Sequence, residues 1–319
     1  MQYLRLAVAW GFLLFQLYLG VCFFRFVHYF RSGGTAPFVQ RPDGIEGFLP
    51  ISALLSLKEW YISGAINQIH PAALVVLLCV ITVSLHLKRA FCSWICPVGT
   101  ISELLWKCGR LLFGRNVRPP RLADISLRGL KYLLLAFFLW SIFWAMDATQ
   151  ITTFVGSDYN KVADVRLLDF FLGISPLAFA VILFLVILSL PLRIPFCRYL
   201  CPYGALLGLV AIFSPVKVTR AKKACTGCGI CAAACPSNIP VAKKERIVSE
   251  ECIGCWRCIS QCRAGALEMQ LPWRNIVVGG LLFSFLVTGL FVGGTIIGRA
   301  TGHWHTAITQ DEYVRLLGR

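Results

Sequence analysis

The chain has 319 residues, 57% of them hydrophobic and only 14% charged, with a mean hydropathy of +0.71. That is too apolar for a soluble domain of this length and makes a membrane protein the starting assumption. A formal net charge of +16 invites a nucleic-acid reading, but the basic residues are sorted by loop instead of gathered on one face.

Taken in chain order, apolar runs approaching the roughly 20 residues that a helix needs to cross about 30 Å of hydrocarbon predict spans over 4–24, 71–87, 129–147, 170–192 and 275–297. The first begins almost at Met1. Its apolar run is too long for a signal peptide and no small-residue cleavage site precedes Arg25, so it is expected to remain as a helix. Residues 44–66 are also apolar, yet Lys58 and Glu59 sit in their middle, which predicts an interfacial or re-entrant helix with Trp60 and Tyr61 at headgroup level.

Loop charges orient these spans. From Lys88 to Lys131 nine Lys or Arg face only Glu103 and Asp124, and from Arg193 to Arg274 twelve face Glu245, Glu250, Glu251 and Glu268. The loop carrying Asp147, Asp158, Asp164 and Asp169 has only Lys161 and Arg166. The positive-inside rule then predicts an inner-membrane protein with a cytoplasmic N-terminus, the two basic segments cytoplasmic and the C-terminal tail extracytoplasmic.

The basic loops contain a repeat: Ala90-Phe-Cys-Ser-Trp-Ile-Cys-Pro-Val-Gly99 against Pro195-Phe-Cys-Arg-Tyr-Leu-Cys-Pro-Tyr-Gly204. Each copy follows an apolar run and precedes a short amphipathic stretch, which predicts a pseudo-symmetric four-helix core. Cysteines four apart share one helix face and a following Pro ends the helix, so Cys92 with Cys96 and Cys197 with Cys201 are expected as pairs at the membrane boundary. Joined, they would make a four-thiol site. Three readings stay open: a third cluster or other metal, a dithiol that cycles to a disulfide or handles copper, or four small buried side chains.

The most specific pattern follows. Cys225-x₂-Cys228-x₂-Cys231-x₃-Cys235-Pro236 is repeated as Cys252-x₂-Cys255-x₂-Cys258-x₃-Cys262, with Arg263 where an ideal second copy has Pro. Three cysteines around a tight turn serve one cubane while the fourth reaches the other. This assigns Cys225, Cys228, Cys231 and Cys262 to one [4Fe–4S] cluster and Cys235, Cys252, Cys255 and Cys258 to a second. Zinc seldom uses two such runs, and disulfides are rare on the cytoplasmic side.

Less follows from the remaining candidates. Cys22, Cys79 and Cys108 are isolated in apolar or amphipathic helices and read as small hydrophobes. His28, His86, His303 and His305 form no pair suited to a haem. His70, just before Pro71, is a candidate proton acceptor for a quinol, against the plainer reading of a histidine hydrogen-bonded at a helix entry. Gly289-x₃-Gly293 and Gly294-x₃-Gly298 predict close helix packing.

These cysteine motifs, with Gly47-Phe-Leu-Pro-Ile-Ser-Ala-Leu, resemble the membrane polyferredoxins of the NapH, NosR and CcoG kind over about residues 1–268. The resemblance implies a quinol dehydrogenase or electron conduit feeding an extracytoplasmic oxidoreductase, with the quinone pool and other redox subunits as partners. Its copper-handling branch implies instead a thiol-centred cupric reductase. Two departures from that resemblance are expected: no large extracytoplasmic flavin domain of the nitrous-oxide-associated branch, and, beyond the simplest nitrate-type members, a fifth span and a tail that docks a partner subunit.

The expected architecture is an integral membrane all-α protein of about five transmembrane helices with a cytoplasmic ferredoxin-like module. Its segments are a membrane domain at 1–215, the module at 216–270, and the fifth span and tail at 271–319. Electron transfer inward from a cytoplasmic donor, and redox sensing in assembly or signalling, stand as alternatives to outward flow.

Overall fold

A computed structural model of the protein describes residues 1–271, 273 and 276–318, with Arg121 by its backbone alone. The chain divides into two compact units, one of residues 1–13, 80–135 and 181–290 and the other of 14–79, 136–180 and 291–319. The ferredoxin segment shares the first unit with both paired-cysteine turns.

Among the described residues three helices are long and apolar enough to cross a membrane: Gln2–Arg31, Leu122–Ala145 and Gly280–Ala300. They match the first, third and fifth expected spans, although Asn275, at the start of the fifth, lies outside the described residues. Pro71–Leu87 coincides with the second expected run but, with 17 residues, is shorter than these three. The expected fourth span falls on a bent pair of helices. Residues 170–192 are not one helix, because Ala163–Leu172 and Pro176–Leu188 meet at an 81° bend. Pro176 has no amide with which to continue the ladder, and the residue before a proline disfavours the helical region. Ser175 instead caps the new helix, its Oγ accepting from the Ala178 amide at 3.2 Å.

Lys58 explains the charged centre of the 44–66 stretch. In the second unit it lies on the helix Pro50–Ser63, and its buried amine donates to the carbonyls of Ile142, Phe143 and Met146 at 3.0, 3.1 and 2.6 Å. Those carbonyls close the π-helical turn Ser141–Ala145. A cation thus satisfies acceptors that have no partner inside their own helix.

The tail also packs on its own chain. The helix Gln310–Leu317 starts in a capping box formed by Thr309 and Glu312, and Tyr313 and Leu317 are buried among Phe23, Phe26, Phe30, Val162 and Val165. Its apolar face is therefore occupied intramolecularly.

In the first unit the ferredoxin segment folds around an antiparallel sheet of β1 (Lys217–Arg220), β2 (Arg246–Ile247), β3 (Leu267–Leu271) and β4 (Ile276–Val277), in the order β2-β1-β3-β4. Val218 stands opposite both Ile247 and Met269, and all three are buried. The register puts one apolar side chain from each of three strands on the same face, toward the cysteine loops.

Candidate iron–sulfur and thiol centre

The two repeat copies fold alike. Each is entered through a left-handed non-glycine residue, Lys88 at φ 63° and Ile194 at φ 46°. For a β-branched isoleucine this is a strained conformation costing roughly 1–3 kcal/mol. Each then makes one turn in which the amide of the second cysteine reaches back five residues: Cys96 to the Phe91 carbonyl and Cys201 to the Phe196 carbonyl, both at 3.0 Å.

Pro97 and Pro202 do more than end that turn. They open the next helices, Pro97–Phe113 and Pro202–Ile212, with Cys96 and Cys201 as the capping residues. The Gly204 amide donates to Cys201 Sγ at 3.2 Å. The motif glycine is required by close approach: a Cβ on Gly99 would stand 2.0 Å from the Cys92 carbonyl oxygen, and one on Gly204 would stand 3.3 Å from that of Cys197.

These turns bring Cys92, Cys96, Cys197 and Cys201 together. Cys96, Cys197 and Cys201 are desolvated, and the four thiols lie within electrostatic reach of one another. Burial, then the neighbouring thiols, pushes Cys96 up to about 12 and Cys197 well above the ordinary thiol range. Beside them Arg89, 1% exposed, faces Cys92, Cys197 and Glu251, and its Nε has no hydrogen-bond partner. Four clustered soft donors beside a buried cation fit an anionic thiolate-bound metal centre better than four neutral thiols.

The eight ferredoxin-type cysteines separate into two sets in the crossed manner. Cys258 feels Cys255, Cys252 and Cys235, and these four line one pocket with Val218, Ile247 and Met269. Cys225, Cys228, Cys231 and Cys262 line a second, open cavity of about 410 Å³. Their surroundings differ. Burial raises Cys235, Cys255 and Cys258. At the solvent-facing Cys225, a hydrogen bond from the Gly227 backbone and another from Arg220 hold the thiol below its ordinary value. Among the described residues no three His, Cys, Asp or Glu side chains close around a single ion, whereas a cubane distributes its four thiolates over separate irons.

The residues between the paired cysteines tie the two kinds of site together, and sequence reasoning had given them no role. From the first copy, Ser93 Oγ donates to the Ile253 carbonyl at 2.5 Å and Trp94 Nε1 to that of Gly254 at 3.1 Å. The Arg89 amide donates to the Cys252 carbonyl at 3.3 Å. From the second copy, Arg198 donates to the Pro236 carbonyl at 3.3 Å and is itself held by Asp124 at 2.6 Å. Thus both turns grip the loops that present Cys235, Cys252 and Cys255. Cys197 and Ile253 share a small apolar core with Trp106 and Ile194, against which Cys92 and Cys255 pack. The one available signal was that these residues lie inside a repeated motif.

Gly254 and Trp256 carry positive φ between Cys252 and Cys258, at 57° and 60°, and Phe283 packs against both Trp94 and Trp256, with centroids 5.7 and 5.5 Å apart. At the entry to the first helix, Gln2 donates to the Cys255 carbonyl at 2.9 Å and Arg5 reaches Glu103 at 2.7 Å. Glu103 also meets Lys107 and Arg257. Despite its burial, these cations draw its carboxyl down to about 2.

His70 lies apart, in the second unit, and is 1% exposed. Its Nε2 donates to the Asn160 carbonyl at 2.7 Å and its Nδ1 meets Glu46 Oε1 at 3.2 Å. Both neighbours accept, so the ring is best satisfied with both nitrogens protonated. Burial lowers its pKa, but Glu46 and Asp164 outweigh it and the net shift is upward. The histidine completes a buried ionic group in which Arg41 meets Asp43, Glu46 and Asp164. With both ring nitrogens engaged, this geometry presents no free nitrogen to a quinol.

A family model described as a 4Fe–4S binding domain matches residues 69–120 and 172–220, one match over each repeat copy. A 4Fe–4S dicluster domain matches residues 217–263. The chain is 42% identical to the Escherichia coli K-12 protein YccM, which carries a provisional electron-transport designation, over 95% of this chain and 86% of that protein. It is 30% identical to the methylamine utilization ferredoxin-type protein MauN of Methylorubrum extorquens AM1, over 73% and 78%. It is 23% identical to the ferredoxin-type protein NapH of E. coli K-12, over 71% and 75%. No solved structure matches the chain.

Proposed function

We propose, since the chain belongs to the NapH-type family of membrane polyferredoxins, that this iron–sulfur electron-transfer protein is the quinol-dehydrogenase or conduit subunit of a respiratory chain. In this reading Cys225, Cys228, Cys231 and Cys262 hold one [4Fe–4S] cluster, Cys235, Cys252, Cys255 and Cys258 a second, and Cys92, Cys96, Cys197 and Cys201 a third thiolate-bound metal centre. Each such group, when bound, supplies a one-electron store.

The residues of the chain bind, space and insulate these groups. The observation that carries the proposal is the set of hydrogen bonds from Ser93, Trp94 and Arg198 to the loops of the second cysteine set. A dithiol enzyme working alone has no need of a fixed separation from a ferredoxin module, whereas a relay does. Arg89 supplies buried positive charge beside an anionic site, and Trp94, Trp106 and Phe283 exclude water.

The finer topology belongs to the same reading: about five spans in the inner membrane, with the N-terminus and ferredoxin segment cytoplasmic and the tail extracytoplasmic, meeting an oxidoreductase there. Quinol from the membrane pool is the proposed reductant.

The test is anaerobic purification followed by iron, labile-sulfide and electron paramagnetic resonance analysis of wild type and of the Cys92→Ser/Cys197→Ser variant. About twelve irons per wild-type chain and about eight in the variant are expected, with quinol-dependent reduction lost in the variant. Quinol-dependent reduction unchanged in a variant that has lost only cupric reduction would instead favour the copper-reductase reading.

A further inference from the structure

The two ferredoxin-type cysteine sets differ in exposure. Cys235, Cys255 and Cys258 are buried or desolvated, while Cys228 is exposed and the cavity beside Cys225, Cys228, Cys231 and Cys262 is open. Around that opening cations predominate. Lys222, Lys223, Lys243, Lys244, Arg246 and Arg263 are exposed, and Arg220 lines the cavity with Arg263. Among the described residues of 217–271, Glu245 and Glu268 are the exposed acids; Lys222 pairs with Glu245, and Glu268 accepts from Gln270.

The contacts place these cations together. Arg220 Nε donates to the Lys244 carbonyl at 3.1 Å, Arg246 stands across the ladder from Thr219, and Ala242, next to Lys243, lines the cavity.

Orientation in the membrane does not account for Lys243, Lys244 and Arg246 in this ring. The positive-inside signal acts within about 15–20 residues of a span, and Lys243, Lys244 and Arg246 lie farther than that along the chain from both Leu188 and Gly280. Nor do these cations serve the fold, since the side chains of Lys243, Lys244 and Arg246 are in solvent.

The geometry points to this basic rim as the docking surface for a small acidic soluble electron-carrier protein, which it would bring to the open edge at Cys225 and Cys228. The inference deepens the electron-transfer reading above and rests on it. The exchange is a single electron: the carrier is oxidised by one, the membrane protein reduced by one or the reverse, and no atom moves. Complementary charge speeds such encounters and makes them salt-sensitive, and small transient interfaces suffice for them.

The experiment uses the full-length protein in nanodiscs of zwitterionic lipid alone, with iron content measured first. Two probes follow: an acidic [2Fe–2S]-type ferredoxin with both irons replaced by redox-inert gallium for equilibrium binding, and the reduced native iron form for rate. Binding that weakens about tenfold between 50 and 300 mM salt is expected. The Lys243→Glu/Lys244→Glu/Arg246→Glu variant should lose at least about tenfold in affinity and rate, while keeping its iron and its reduction by the small cation methyl viologen.

Binding indifferent to salt and to charge reversal overturns the docking surface. So does absence of ferredoxin binding in a protein whose rim instead binds vesicles containing anionic lipid. A wild type that is free of iron overturns the underlying electron-transfer reading as well, and the iron measurement distinguishes that failure from failure of docking alone.

Discussion

At the residue scale, His70 and Arg89 are two buried cations with different work. His70 has its pKa raised in the folded protein above the ordinary 6.5. Its stabilising contribution is therefore complete below about pH 6.5 and is lost as pH climbs through the folded value. Thermal melting of the detergent-solubilised protein should show a midpoint that declines as pH is raised from 6.5, and His70→Gln should flatten that slope. Arg89 lies beside Cys92 and Cys197 with an unpartnered Nε. Removing its charge makes an anionic centre harder to reduce, so Arg89→Gln should move the midpoint potential of a metal centre at the paired cysteines downward. The size should be on the order of 100 mV, a charge interaction of about 2 kcal/mol at moderate dielectric. Redox titration followed by electron paramagnetic resonance reads it, and an unchanged potential would remove Arg89 from that role.

At the element scale, the repeated turn is a rigid device. A cysteine carbonyl packs on the glycine two residues after Pro, so Gly99→Ala forces a Cβ to 2.0 Å from Cys92 O. The obstacle is backbone, which cannot rotate away. The variant should lose about 3 kcal/mol or more of stability and bind less iron, measured by melting and metal analysis, whereas Gly129→Ala, with nothing within 4 Å of the new Cβ, should leave iron content unchanged. The 44–66 element gives a second test. Lys58→Met strands the carbonyls of Ile142, Phe143 and Met146 and should cost about 2–3 kcal/mol, seen as a lower melting temperature with iron content retained. Much of this was legible. Repeat spacing disclosed the paired turns, and apolar length disclosed Gln2–Arg31 and Gly280–Ala300. The break at Gly173–Pro176 was not legible, because hydropathy averages over a window and is blind to the one missing amide that ends a helix.

At the scale of the whole molecule, the first unit joins both repeat copies to the ferredoxin segment although about a hundred residues separate Cys92 from Cys197. The consequence is that the sites should respond as one assembly. Ser93→Ala/Trp94→Phe deletes two donors to the Ile253 and Gly254 carbonyls while leaving all twelve motif cysteines in place. Iron content should stay within about a quarter of wild type, whereas the rate of quinol-dependent reduction should fall about tenfold or more, as expected when reacting centres lose fixed spacing. A rate that survives this change would show the clamp to be dispensable for the relay. The tail offers the contrast: Tyr313 and Leu317 are buried on the chain's own second unit, so truncation after Ile308 should lower stability before it affects any partner.

The cysteine spacing alone determined the chemistry. A C-x₂-C-x₂-C-x₃-C run has the same offsets wherever it folds, and thiolates select soft iron–sulfur groups. Apolar run length likewise determined that the chain meets a membrane, because the thickness of hydrocarbon is a fixed ruler. Tertiary structure alone decided which ordinary residues matter. That Ser93, Trp94 and Arg198 clamp the loops of the second cysteine set, that Arg89 is buried among thiols, and that His70 is locked between Glu46 and Asn160 are relations between residues 24 to 162 positions apart. Local periodicity carries no information about such pairs; they form only when packing closes the loops between them.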